Sequence, residues 1–107
     1  MKIKNFTPHI LRVRTPKGGV DLPSEGIARV SYESKIFDWV HVEDINIPVY
    51  TTTHTEVTGL PAAEADTYII VSSIVKAACP DRKDLVCPVY AVKDKWGNVI
   101  ACRGVSI

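Results

Sequence analysis

The run Tyr68–Val71, "YIIV", leaves this chain little choice of architecture. Consecutive apolar residues cannot alternate between core and solvent, so a strand of this kind is covered on both faces. Ser72 and Ser73 follow, then "IVKAAC", the one stretch with helical character. Either serine suits an N-cap, Ala77 and Ala78 favour helix, and Pro80 stops it, because a residue before proline avoids the α region. Such a helix has about two turns and is held by packing, not by its own propensity.

Elsewhere the pattern is strand and turn. "KIKNF" and "ILRVR" alternate and are separated by "TPH"; residues 2–14 lead toward a hairpin closed at Thr15–Gly19 by "TPKGG". A short "VDL" ends at "PSEG". "IARVSYE" alternates with Ile27, Arg29 and Ser31 on one face. "KIFDWVHVED" reads either as a strand, with Ile36, Asp38, Val40 and Val42 on one side, or as a mobile excursion. "INIPVYTTTHTEVTGLP" reads as a strand or a hairpin, and "LPAAEAD" as a loop. "LVCPVYAV" and "NVIACRGVSI" are two further strands joined by "KDKWGN". The expected fold is therefore α+β: mostly antiparallel β-sheet with one short packed helix, forming a single domain over residues 1–107.

The charge balance bounds the function. Thirteen basic and twelve acidic residues give a formal net charge of +1, without the basic excess of a protein that grips DNA or RNA polymers. A small anion needs only a few well-placed donors. No apolar run nears the roughly 18 residues that span a bilayer, and "MKIKNFTPH" lacks a signal peptide's apolar core, so a cytoplasmic location without membrane attachment is expected. Cys79, Cys87 and Cys102 show no metal-site spacing and read as reduced, mostly buried thiols. The three histidines lie far apart, with no HxH or HExxH pattern. No metal or cofactor is implied. No nucleophile elbow or glycine-rich phosphate loop appears, although a Cys–His pair could still meet in space.

Three clusters have binding chemistry. At the strand-to-helix junction, Ser72 and Ser73 fit either an ordinary cap or a phosphate cradle. Past the helix, "DRKDL" offers Arg82 as a planar fork for phosphate, Lys83 as a cation and Asp84 as an acceptor for a ribose hydroxyl. The bland alternative is a solvated loop of ion pairs. In "KDKWGNVIACRG", Trp96 can stack on a base or fold back on the sheet, flanked by Asn98 and Arg103. Arg29, on a strand of small and apolar residues, is a lesser candidate. The serines and "DRKDL" lie at opposite ends of the helix, which one protomer has difficulty joining over one ligand.

The order of "MKIKNFTPH", "PSEGIARV", "IPVY", "YIIVSSIVKAA", "RKDLVCP" and "GNVIACRGV" resembles the phage anti-Thoeris proteins of the first type. Residues 34–46 add nothing distinctive to the likeness. The resemblance implies a small non-enzymatic protein that binds a cyclic ADP-ribose isomer made by a bacterial immune enzyme. The protein holds that signal uncleaved in the host cytoplasm, so the defence is not activated. It also implies homodimers, in some members trimers of dimers, with the signal at the dimer interface and, in some, cyclic trinucleotides at the threefold axis. A site shared by two chains would let one protomer's helix meet its neighbour's loop. The family's helix start carries a stacking aromatic where this chain has Val75, so either another ring, such as Tyr90 or Trp96, replaces it or the ligand differs. An arginine expected at the Trp96–Asn98 tip is absent. The alternative is a phage-encoded protein–protein interaction module without a small-molecule ligand.

Overall fold

A computed structural model describes all of residues 1–107. The main sheet has six strands. They are β1 (Lys2–Asn5), β2 (Leu11–Thr15), β3 (Gly18–Leu22), β6 (Thr67–Ile70), β7 (Leu85–Lys93) and β8 (Val99–Ser106), in spatial order β1-β6-β7-β8-β2-β3. The remaining strands, β4 (Arg29–Val42) and β5 (Ile45–Thr58), form a separate two-stranded ribbon. One helix, α1 (Ser73–Ala78), completes an α+β fold in which β2–β3, β7–β8 and β4–β5 are antiparallel and supply most of the ladder.

The "YIIV" run lies where its composition requires. β6 sits between β1 and β7, parallel to both, and Ile69, Ile70 and Val71 are fully buried. A parallel neighbour next in sequence needs a crossover, and α1 provides it between β6 and β7. Ser72 is the N-cap, its backbone extended and its Oγ accepting from the Val75 N–H at 3.4 Å. Val75 drops into a cluster with Ala28, Ile69, Val71 and Leu85, which Phe6, Val30, Val57 and Leu60 border. At the far end Cys79 N–H donates back to Lys76 C=O, and Pro80 prevents another turn.

Asn5 accounts for the turn "NFTPH". Its side chain is 1% exposed. Nδ2 donates to the carbonyls of His9 (2.8 Å) and Leu22 (2.9 Å), and Oδ1 accepts from Thr7 N–H (3.0 Å) and Thr7 Oγ1 (2.6 Å). One amide thus ties the exit of β1 to the start of β2 and the end of β3. β1 nevertheless does not lead into the hairpin. It pairs with β6 on the far side of the sheet, and the hairpin is β2–β3 alone. Periodicity could not reveal this, because alternation identifies a strand but not its neighbour.

The region left open between strand and excursion is strand. β4 runs unbroken to Val42 and turns through Glu43 and Asp44, both at positive φ (52° and 50°), into β5. Two left-handed residues make the tight turn whose twist matches a hairpin. A bulge at Phe37 shifts the alternation, so Ile36 leaves the face shared by Asp38, Val40 and Val42. At the base, Gly59 (φ 77°) has no room for a side chain, because a Cβ there would collide with the Ile27 carbonyl.

The ribbon gives the molecule its shape. A compact chain of this length has a radius of gyration of about 13 Å, whereas this one measures 17.9 Å, with extents of 57 × 39 × 19 Å. Fourteen residues per strand carry an arm roughly 45 Å long. Only its first pairs, around Val30 and Val57, touch the core.

Candidate functional site

Two of the concave regions beside the main sheet carry residues singled out from the sequence. The first, about 430 Å³, lies between the turn after β1, the start of β4 and the start of α1. Thr7, Pro8, Arg29, Ser72, Ile74 and Val75 contribute to its wall. It brings together two of the sequence candidates, Arg29 and Ser72, which are 43 positions apart. Arg29 is exposed and makes no ion pair within the chain. Ser72 is exposed too, and its Oγ, while accepting from Val75 N–H, retains its own proton as a donor. Thr7 Oγ1 donates its proton to Asn5 Oδ1, so the guanidinium and the Ser72 hydroxyl suit an anion and the Thr7 oxygen accepts from a ligand hydroxyl. Thr7 was not singled out from sequence. Asn5 anchors it, and an asparagine before "TP" at a strand end was the available signal. Ser73 adjoins this cavity in sequence but does not line it.

The loop after α1 is organised differently. Arg82 forms a two-pronged pair with Asp84 (Nε–Oδ1 2.9 Å, Nη2–Oδ2 2.8 Å) and donates from Nη2 to Pro61 C=O at 3.0 Å. Hydrogen bonding from Arg82 holds the Asp84 carboxyl below the usual range, against the opposing effect of burial. These contacts give Arg82 and Asp84 a structural task, fastening the 59–66 loop to the end of α1. Lys83 Nζ donates to Pro80 C=O at 3.2 Å.

Trp96 and Asn98 occupy the β7–β8 turn. The Asp94 carboxylate accepts from the backbone N–H groups of Trp96 (2.9 Å) and Asn98 (3.0 Å) and from Asn98 Nδ2 (3.4 Å). These bonds, that from Asn98 first, lower the Asp94 pKa. Lys95 Nζ lies 4.4 Å from the Trp96 ring centroid, so the ring is exposed and covered on one face by a cation.

The second concave region is a groove of about 880 Å³, predominantly apolar. β2 and β8 pair at a single position, Val13 with Cys102, and the strands part before that point. His9, Ile10, Arg12, Val89, Tyr90 and Ile100 face the gap. Tyr90 is 77% exposed and sits at φ 56° inside β7, a conformation rare for a bulky residue. Arg103 follows Cys102 at the groove's end and is exposed. His9, Ile10 and Arg12 were missed from sequence, where "HILR" reads as an ordinary strand start.

The three cysteines are free, but only Cys102 is fully buried. Burial pushes the Cys87 thiol up, keeping it protonated near neutral pH. No group of three or more His, Cys, Asp or Glu side chains is placed to hold a metal ion. No helix is long and apolar enough to cross a membrane. No protein-family model, curated protein or solved structure matches the chain.

Proposed function

We propose that this chain is a non-catalytic binding protein that sequesters a cyclic ADP-ribose-type signal, and so inhibits a bacterial anti-phage defence. The observation that carries the reading is the cavity uniting Arg29, Ser72 and Thr7, with a free guanidinium and the Ser72 hydroxyl as donors to phosphate and the Thr7 oxygen as an acceptor for a ribose hydroxyl. The ordered motifs from "NFTPH" to "IACRG" point the same way. In this reading the working form is a homodimer, in which a neighbour brings Trp96 or the Arg82–Asp84 loop to the ligand, while Tyr90 lines the separate β2–β8 groove. Higher assemblies and cyclic trinucleotide binding are extensions of the same proposal.

The test is calorimetry and thermal melting of the purified chain with cyclic ADP-ribose isomers and cyclic trinucleotides, followed by heat release and mass measurement. Ligand at 100 times its dissociation constant should add about 2.7 kcal/mol, and the nucleotide should return with unchanged mass. A changed mass would make the protein an enzyme. No melting shift with any candidate would favour the second reading, an interaction module without a small ligand, for which the exposed apolar arm speaks.

A further inference from the structure

The β4–β5 arm carries an apolar face that nothing in the chain covers. Cross-strand partners share a face of a ribbon, which places Val42 with Ile45, Val40 with Ile47, and Asp38 with Val49 on one side. Val40, Val42, Ile45, Ile47 and Val49 are all exposed. An isolated two-stranded ribbon is marginal in water, and this one is bonded to nothing beyond its base.

The area bounds how large such a contact can be. A compact protein of 11.8 kDa exposes about 5,900 Å², and this chain exposes 7845 Å². The excess is about 1,900 Å² per chain and comes with the projecting arm; two chains that each buried half of it would share about 1,900 Å², the size of a stable specific interface. The same chain has an unfilled apolar groove between β2 and β8. Charges match as well as shape. Asp38 lies on the aliphatic face and Glu43 and Asp44 form the arm's tip, while the groove presents Arg12 and His9, and Arg12 has no ion-pair partner of its own.

We propose that the arm of one protomer seats its Val40–Ile47 face in the β2–β8 groove of a second copy, and that the exchange is reciprocal. A reciprocal contact closes on itself as a twofold dimer and leaves no free arm or groove to propagate a fibre. It specifies the contact for the homodimer proposed above and does not depend on which ligand, if any, is bound.

Val40→Glu disables the arm and Ile100→Lys disables the groove, both at half-exposed positions outside the buried core. Light scattering without ligand should give twice the 11.8 kDa chain mass for the unaltered protein and the chain mass for each variant. Mixing the two variants should restore a dimer, because the groove variant keeps a sound arm and the arm variant a sound groove. A monomeric unaltered protein, a dimeric Ile100→Lys variant, or a mixture that stays monomeric would each overturn the proposal. Hydrogen exchange of the unaltered chain reads the contact without a mutation. On dilution, protection should fall together in residues 38–49 and 99–102; loss confined to the arm would mean arm-on-arm packing and refute the groove.

Discussion

Replacing Asn5 with alanine should be among the most damaging single changes to this fold, although it removes only an amide. The side chain makes four hydrogen bonds, two donated to the His9 and Leu22 carbonyls and two accepted from Thr7. Each is worth about 1 kcal/mol net, and an orphaned buried group costs about 1–3 kcal/mol. Thr7 and His9 lie toward the surface, so water can recover part of the loss at their end. The Leu22 carbonyl and the vacated site at Asn5 are less accessible. The expected cost is about 3–4 kcal/mol, a large share of the roughly 5–15 kcal/mol available to a small domain. Thermal melting followed by circular dichroism should show a drop of roughly 15–30 °C. Asn5→Asp refines the test. It keeps an acceptor for Thr7 but sets carboxylate oxygens against two carbonyls, so the folded state should favour the protonated acid. A folded pKa raised above the unfolded value means the native state binds more protons, and the variant's deficit should therefore shrink as pH falls from 7 toward 4. A loss below about 1 kcal/mol in Asn5→Ala would refute the idea that this amide organises the turn.

Arg29→Ala should abolish or weaken ligand binding at least tenfold by calorimetry while leaving the melting temperature unchanged, since Arg29 makes no ion pair within the chain. Arg82→Ala should instead lower stability by about 1–2 kcal/mol in urea unfolding, through loss of the Asp84 and Pro61 contacts. Asp84, whose carboxyl is held below its usual pKa by hydrogen bonding from Arg82, adds stability that is present above the unfolded pKa of about 3.9 and lost as pH falls through the folded value. The stability gap between the unaltered chain and Asp84→Asn should accordingly close between pH 5 and pH 2. Glu43→Asn combined with Asp44→Gly suits the left-handed tip and should stabilise the turn itself by about 1 kcal/mol, read as slower hydrogen exchange in residues 38–49 in the monomeric Ile100→Lys background, where the lost tip charges have no groove to meet.

What the sequence made legible was local. The covered strand at Tyr68–Val71, the cap at Ser72 and the stop at Pro80 each depend on a few adjacent residues, and the structure has all three. Strand order was not legible. β1 and β2 look like consecutive members of a meander, yet the first pairs with β6 and the chain turns away at a buried asparagine, and no periodicity encodes that. The arm was ambiguous for a related reason. Both of its faces carry apolar residues, so the in–out alternation that identifies a half-buried strand is blurred, and the Phe37 bulge breaks what remains. Of the candidate site, Arg29 and Ser72 meet across a distance in sequence that only the tertiary fold closes. The Arg82–Asp84 pair was visible as chemistry, but its engagement with the Pro61 carbonyl was not.

The turn at residues 5–9 connects these findings. Asn5 fixes Thr7, which lines the Arg29–Ser72 cavity, and also fixes the carbonyl of His9, which stands at the mouth of the β2–β8 groove. Cavity and groove thus lie on either side of a five-residue segment held by a single amide. If the groove receives a partner's arm, its occupancy bears on His9 and, through Asn5, on the placement of Thr7. A ligand in the cavity would find that hydroxyl already positioned in the dimer and less so in the monomer. Ligand affinity should then fall in the Ile100→Lys variant, although Ile100 does not line the cavity, and the size of that fall measures the joint effect of losing the neighbour's contribution and the placement of Thr7.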